Sequence, residues 1–511
     1  MSIIGVPSVK PERTLIANSL EIPRMLNGLW QLAGGHDKNV DIAAAAEAMG
    51  SLIDAGLDGF DMADHYGDAE LVIGQHHKTS KAPIKAFTKW CPAENGIKTF
   101  QQAEAAIDRA LDRMGTSQVD LLQYHIWDYT DDTYLHNMSH LHELQKRGKI
   151  GHIGLTNTDA EHLELLIHSG FSIATNQVSC SVIDQRLVRG RLSEVCAENN
   201  VGVLAYGTLL GGFLSEKWVG AEEPQDTENA PLNWSLRKYL RFINAAGGWA
   251  VFHKVLSSLD SVAKKHGVPI AAVATRWVLD IPVVKAVIVG TRLSTQSDKY
   301  RASNLAAFSF SLDDEDRSLI SSAQASLTNI PGDCGDEYRR APFLTASGDL
   351  SDHVEGTDAY ATLQEAIAQG KRVEYGSGSK WESIAGYSRA VRVGDTIRVS
   401  GTTANAPSAL QLSSIGGSCA RCQTVACLDI IARSLKKLGG DISNVVRTRI
   451  MIRTAEDCEG VSLAHGWRFS CVGIRPANTL TTAGLIGDEF LVEIEVEAVV
   501  GLGDGGVLCL T

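Results

Sequence analysis

From Pro23 to Leu319, short apolar runs alternate with longer amphipathic stretches. Few folds accommodate such a rhythm except repeated strand–helix units that build a parallel sheet. The candidate strands are Met25–Leu29, Gly59–Met62, Ile84–Thr88, Val119–Tyr124, His152–Leu155, Ile173–Val178, Gly202–Ala205 and Ala286–Val289. Eight such units fit a closed (β/α)8 TIM barrel better than an open sheet, because that barrel takes ~250 residues or more. Between the strands lie helical patterns such as Gln102–Met114, where Ala103, Ala106, Ile107, Ala110, Leu111 and Met114 recur at helical spacing and Gly115 can close the helix. One connection breaks the rhythm: Gly211–Val251 carries Trp218, Trp234 and Trp249, and is far longer than an ordinary strand-to-helix loop. On a barrel, long loops at the C-terminal rim wall the pocket.

The chain has 511 residues, more than one hydrophobic core usually organises, so a second domain is expected. After the amphipathic stretch Leu312–Leu327 the pattern lapses into a Gly-, Asp- and Ser-rich stretch. The reading is a barrel over 1–330, a linker over 331–358 and a smaller α+β domain over 359–505. That domain shows a hairpin-like run at Ser388–Ser400, a helix at Cys422–Lys437 ended by Gly439 and Gly440, and a last strand in which Val492, Ile494 and Val496 alternate with Glu493, Glu495 and Glu497. The two regions share no internal repeat.

A formal charge of −13 opposes binding to a phosphate backbone, so nucleic acid is not an expected partner. Neither a spanning apolar run nor a secretory leader is evident, and a cytoplasmic location is the expectation. Ten cysteines in a chain of this length are not a disulfide framework. Cys419 and Cys422 form a C-x-x-C without a second pair, and read as ordinary thiols near a helix start; no metal site is expected.

Chemistry concentrates at three successive strand ends. In Gly59-Phe60-Asp61-Met62-Ala63-Asp64-His65-Tyr66-Gly67 a strand delivers a carboxylate and a phenol into its loop, the next strand ends in Thr88-Lys89-Trp90, and the one after in Gln123-Tyr124-His125. A phenol is a weak acid at neutral pH, and a neighbouring ammonium makes it a better one by favouring phenolate. Lys89 can supply that charge, Asp61 can hold Lys89, and His125 can hydrogen-bond a carbonyl oxygen. Taken singly, each residue is more often a cap or a satisfied core group; the combination carries the reading.

On these motifs residues 20–327 resemble the aldo-keto reductase family, whose signature the Gly59–Gly67 segment matches. The resemblance implies an NAD(P)H-dependent reduction of an aldehyde or ketone, with Asp61, Tyr66, Lys89 and His125 as the catalytic tetrad and Tyr66 as proton donor. It also implies that Thr156, Asn157 and Gln177 hold the nicotinamide carboxamide, that Tyr206 stacks on the ring, and that Leu209 belongs to the pyrophosphate loop. Trp30 would line the substrate pocket. Gly290-Thr291-Arg292 and Asn304 match the adenosine end, where a guanidinium suits a 2′-phosphate, so NADP(H) is preferred and NAD(H) remains open. Two departures are Ser303 in place of an acid before Asn304, and a stretched Arg292–Asn304 spacing.

Residues 360–503 resemble the Rid/YjgF family, of chorismate-mutase-like fold. The resemblance rests on Gly386-Tyr387-Ser388-Arg389-Ala390-Val391, Val399-Ser400-Gly401, Gly473-Ile474-Arg475-Pro476-Ala477-Asn478-Thr479 and the Glu493–Ala498 run. It implies a homotrimer with pockets between subunits, to which Ser400, Asn478 and Glu495 would contribute. Asn478 stands where active members carry an Arg, and a neutral amide does not replace its carboxylate-binding fork. Three readings follow: a carbonyl reductase whose second domain serves oligomerisation or ligand sensing, a bifunctional imine deaminase and reductase, or a cofactor-binding redox sensor with little turnover. The segment Gly332–Arg340 has no chemical reading; it either packs at the barrel mouth or is a solvated charged tail.

Overall fold

Eight parallel strands close into a barrel in the order β10-β3-β4-β5-β6-β7-β8-β9. They are β3 (Met25–Gly28), β4 (Gly59–Asp61), β5 (Lys85–Trp90), β6 (Val119–His125), β7 (Ile150–Thr156), β8 (Thr175–Ser179), β9 (Gly202–Tyr206) and β10 (Val284–Gly290). All eight overlap the strands expected from the apolar runs. A hairpin precedes them, β1 (Arg13–Ile16) paired antiparallel with β2 (Leu20–Pro23). Its Ile16, Leu20 and Ile22 join Leu26, Phe87, Leu121, Leu204, Ala286 and Ile288 in one buried cluster, so apolar side chains fill the barrel interior below the strand ends. The computed structural model describes residues 9–33, 40–92, 98–130, 132–226, 232–293, 297–339, 358–407 and 410–501.

Local chemistry sets the helix ends. The helix Phe100–Met114 starts at a capping box between Thr99 and Gln102 and stops at Gly115, whose φ of 62° is left-handed. The long connection after β9 carries the helix Trp234–Ala245 and two short 3-10 turns; its Phe213, Trp218, Tyr239 and Phe242 share one buried cluster with Phe252, Leu256 and Val273 of the helices that follow. Residues 227–231 of that connection lie outside the described residues.

The second domain is a six-stranded sheet of order β11-β12-β13-β16-β14-β15. Its strands are β11 (Val373–Tyr375), β12 (Ala390–Val393), β13 (Thr396–Thr403), β14 (Val445–Ile452), β15 (Ala477–Thr482) and β16 (Val492–Val499). In β16, Val492, Ile494, Val496 and Ala498 are buried while Glu493, Glu495 and Glu497 are partly exposed, which is the alternation read from the sequence. The helix Ala420–Lys437 packs against the second helix, Cys458–Ser470, against β13 and β16, and against the barrel helix Ala160–His168. It is therefore buried on more than one face. Ion pairs fasten it to the barrel: Arg421 to Glu161, Arg433 to Asp132 at 2.7 Å and Lys436 to Asp128 at 3.2 Å.

Residues 332–339 decide between the two readings of the charged segment. They pack over the C-terminal ends of the barrel strands, with Asp336, Glu337 and Tyr338 buried. What buries so polar a run is a set of distant partners, chiefly Arg186, which binds Glu337 at 2.7 Å and the Asp333 carbonyl at 3.0 Å. Arg340 and the remainder of the expected linker to residue 357 lie outside the described residues, as do 1–8 and 502–505 of the two expected domains.

Candidate active site

Asp61 ends β4, Lys89 lies near the end of β5 and His125 ends β6, so adjacent parallel strands bring the three to one rim. Lys89 Nζ donates to Asp61 Oδ2 at 2.7 Å and to the Met62 carbonyl at 2.8 Å. Both side chains of this ion pair are almost wholly buried, at 3% and 4% exposure, so it interacts in a low-dielectric setting. Tyr66 follows in the β4 loop, and the Lys89 ammonium lies 5.2 Å from its ring centre. The other oxygen of Asp61 accepts from the amides of Gln123 and Gln177, each at 2.8 Å.

His125 is held neutral. Burial comes first in pulling its pKa well below the ordinary imidazole value, followed by the charges of Arg339, His65, Lys89 and Lys238. A neutral imidazole keeps one N–H donor and one acceptor nitrogen. Its ring meets Trp127 edge-on at 3.7 Å and Tyr338 at 5.4 Å.

The expected nicotinamide residues gather beside it. Asn157 has a φ of 55°, a left-handed conformation that Asn tolerates better than most residues, and its Nδ2 is 3.4 Å from His125 Nε2. The Thr156 hydroxyl is buried with no hydrogen-bond partner among the described residues. The Tyr206 hydroxyl donates to Asn157 Oδ1 at 2.7 Å. Gln177 also has protein partners at this rim: its Nε2 donates to Asp61 Oδ1 and to Gln123 Oε1, the latter at 2.7 Å.

Leu209 opens a tight turn in which Leu210, Gly211 and Gly212 all have positive φ. Gly290 ends β10 and Thr291 follows it, with the Thr291 amide bonded to the Gly28 carbonyl at 2.9 Å and Arg292 exposed. Asn304 sits on the helix Ser297–Leu305, and residues 294–296 between Arg292 and that helix lie outside the described residues. Trp30 stands in the short turn after β3.

Sequence reasoning missed the residues supplied by 332–339 and by the long connection. Tyr338 presents its hydroxyl 3.3 Å from that of Tyr206 and accepts from Lys238 Nζ at 2.7 Å. Glu337 Oε1 accepts from Tyr206 at 3.2 Å, and Arg339 donates to the Ile126 carbonyl at 2.6 Å. Only Trp127, two residues after His125, carried a sequence signal in its spacing.

The second-domain residues do not meet within one chain. Asn478 pairs with Thr448 on the sheet face that packs on the helices, its Oδ1 accepting from the Thr448 hydroxyl at 3.1 Å. Glu495 lies on the opposite face, ion-paired to Arg449 at 3.6 Å. Ser400, on β13, is separated from Asn478 by β16 and β14, roughly 14 Å at ordinary strand spacing, and donates to the Ser388 carbonyl at 2.8 Å. The reason lies in β16, where Glu495 alternates with the buried, helix-facing Ile494 and Val496, so its carboxylate stands on the other side of the pleat from Thr448 and Asn478.

Comparison with known proteins agrees with the geometry. The profile of the aldo/keto reductase family matches residues 24–325, and the one described as Endoribonuclease L-PSP matches residues 378–500. An aldo-keto reductase of Mycobacterium sp. is 30% identical over 242 residues, 46% of this chain and 78% of that one. Aldo-keto reductase YhdN of Bacillus subtilis is 24% identical over 294 residues, 55% of this chain and 85% of its own. Flagellar radial spoke protein 5 of Chlamydomonas reinhardtii is 37% identical over 134 residues, 26% of this chain, and the match spans only 25% of that protein. Among solved structures, an aldo-keto reductase from Klebsiella pneumoniae in complex with NADPH is similar at 21% identity and a TM-score of 0.46, covering 61% of this chain and 94% of that one.

Proposed function

The chain belongs to the aldo/keto reductase family through residues 24–325, and from that premise we propose that its barrel reduces an aldehyde or ketone to the alcohol with NADPH as hydride donor. The observation that carries the reading is the buried Asp61–Lys89 pair, 2.7 Å apart, with the Lys89 ammonium 5.2 Å from the Tyr66 ring and a neutral His125 on the next strand.

The residues at the rim fit a nicotinamide. The Thr156 hydroxyl, without a hydrogen-bond partner among the described residues, Asn157 and the carbonyl of Gln177 offer donors and acceptors for a carboxamide, and Tyr206 offers an aromatic face. The turn at Leu209, then Gly290, Thr291, Arg292 and Asn304, would hold the rest of the dinucleotide. Arg292 is the group for a 2′-phosphate, which favours NADPH over NADH. When bound, the cofactor supplies the hydride, which no side chain can.

The protein's own part is to polarise the carbonyl and protonate its oxygen. Tyr66 gives its hydroxyl proton to that oxygen as negative charge develops there, and the Lys89 ammonium eases this by stabilising the phenolate left behind. Asp61 holds and orients Lys89, while Gln123 and Gln177 fix Asp61 in turn. His125, neutral, donates a hydrogen bond to the same carbonyl oxygen. Trp30, Trp127 and Tyr338 wall the substrate side and exclude water.

In the second domain, the neutral Asn478 in place of a carboxylate-binding Arg argues for a supporting rather than a deaminating role, and its helix Ala420–Lys437 braces Asp128, Asp132 and His162, which follow His125 and Asn157 in the chain. The test of the function is NADPH oxidation by the full chain across aldehydes and ketones, with NADH in parallel. Turnover with simple carbonyls and a preference for NADPH is expected. Silence with every carbonyl, together with tight NADPH binding, would instead favour a redox sensor.

A further inference from the structure

Cys419 and Cys422 acquire a third partner that no reading of the second domain alone provides. The barrel helix Ala160–His168 ends against the start of the helix Ala420–Lys437. There His168, Cys419 and Cys422 bring one ring nitrogen and two sulfurs within 4.8 Å of one another. The three ligands come from two domains, 251 positions apart at the nearest, so helical periodicity in either domain cannot account for their meeting.

We propose that these residues form a zinc site that clasps the second domain to the barrel. Two thiolates and an imidazole are the donor set that a borderline-soft d10 cation prefers. With metal–sulfur bonds of about 2.3 Å and metal–nitrogen bonds of about 2.0 Å, tetrahedral donors stand roughly 3.5–3.8 Å apart, so the cluster closes by a shift of about 1 Å. Binding replaces the two thiol protons, which leave to solvent, and the first shell becomes electrically neutral: one dication, two thiolates, one neutral imidazole. The fourth position is taken by water, since His168 lies at the exposed edge of the interface.

The surroundings suit this use. Cys419 caps its helix and accepts a hydrogen bond from the Cys422 amide at 3.2 Å, the N–H···S contact that stabilises charge on a sulfur ligand. Nearby charges are occupied elsewhere: Arg421 binds Glu161, and Glu164 binds Arg191 at 2.6 Å, so neither an arginine nor a carboxylate competes for the sulfurs. The approach also needs two glycines. A Cβ on Gly416 would lie 2.8 Å from that of Cys422, and one on Gly417 would lie 2.6 Å from the His168 carbonyl oxygen. The Gly416 amide meanwhile donates to Ser169 Oγ at 2.9 Å, which pins the turn to the end of the barrel helix.

The inference is independent of the reductase reading, and its test reads metal rather than turnover. The full chain, reduced and stripped with a chelator, is titrated with Co²⁺ and then with Zn²⁺. One equivalent of cobalt with a sulfur-to-cobalt charge-transfer band is expected, displaced by zinc, and the melting temperature should rise on zinc addition. Cys419→Ser and His168→Ala, both at partly exposed positions, should each weaken binding more than tenfold while leaving the metal-free fold intact by circular dichroism. Absence of the charge-transfer band in the reduced protein overturns the proposal. So does unchanged affinity in His168→Ala, which would assign the metal to the dithiol without the barrel, and so does a Cys419–Cys422 disulfide in the protein as purified together with no metal uptake after its reduction, which would make the pair a redox couple.

Discussion

His162 of the barrel and Asp429 of the second domain meet at 2.9 Å, imidazole Nε2 to carboxylate Oδ2, with both side chains buried. The other ring nitrogen is 2.8 Å from Asp159 Oδ1, and the ring lies flat on Tyr129 at 3.4 Å. Asp159 is two residues beyond Asn157, so this contact ties the domain interface to the loop expected to hold the nicotinamide. Burial by itself would lower the His162 pKa, but Asp159 and Asp429 outweigh it and raise the value to about 9.

A raised folded-state pKa makes a definite claim about stability. The contribution is complete below the unfolded value near 6.5 and is lost as pH rises through about 9. A shift of this size corresponds to an order of 3 kcal/mol, at about 1.4 kcal/mol per unit. Thermal unfolding of the full chain should therefore show a melting temperature that falls between pH 7 and 10. Asp429→Asn should lower the neutral-pH value and flatten that fall; an unchanged slope would remove His162 from the account.

Arg339 bears on His125 in the opposite sense. It is the leading charge that, after burial, holds His125 neutral. In the wild type, kcat/KM for carbonyl reduction should show no His125 titration between pH 6 and 8. Arg339→Met should let the imidazole pKa climb, so that activity falls toward low pH in a limb absent from the parent. A pH–rate profile of both proteins decides this.

Glu337 anchors the segment over the barrel mouth by its buried bond to Arg186, which also binds Asp184. Removing one partner of a buried ion pair costs about 3–5 kcal/mol, less here because Asp184 still satisfies the guanidinium. Glu337→Ala should speed proteolytic cleavage within 332–339 and raise KM for the carbonyl several-fold, as Tyr338 leaves the pocket. Equal proteolysis rates in the two proteins would mean that other contacts hold the segment.

These three relationships differ in how far they could be read in the chain. The barrel was legible because short segments with apolar residues alternate with longer amphipathic stretches and because Asp61, Lys89 and His125 stand at or near the ends of consecutive segments, where a parallel barrel gathers side chains. The segment 332–339 was not, since its one aromatic, Tyr338, is surrounded by charged residues whose burial depends on Arg186 and Lys238, far away in sequence. The docking of the second domain was equally hidden: Arg421, Asp429, Arg433 and Lys436 form the kind of polar helix face that ordinarily meets solvent, and only their partners Glu161, His162, Asp132 and Asp128 reveal an interface. The same holds for Gln177, whose amide supports Asp61 across 116 positions of sequence.

Lys89 tests the electrostatic half of the mechanism. Lys89→Met removes the ammonium beside Tyr66 and leaves Asp61 buried with only amide donors. Reduction should slow by about 10²–10⁴-fold, the usual span for a positioned acid–base pair. NADPH binding, followed by fluorescence quenching, should change little. Strongly weakened cofactor binding would mean that Lys89 serves the cofactor rather than the proton transfer.

The most direct test of the central claim is the single-turnover rate of NADPH oxidation by Tyr66→Phe with a carbonyl that the wild type reduces. Loss of the hydroxyl alone should cut the rate by at least about 100-fold with NADPH affinity unchanged, because only the proton donor has been removed. Undiminished reduction by Tyr66→Phe would contradict the assignment and move the proton-donating role to another group at the rim, with His125 the first to examine.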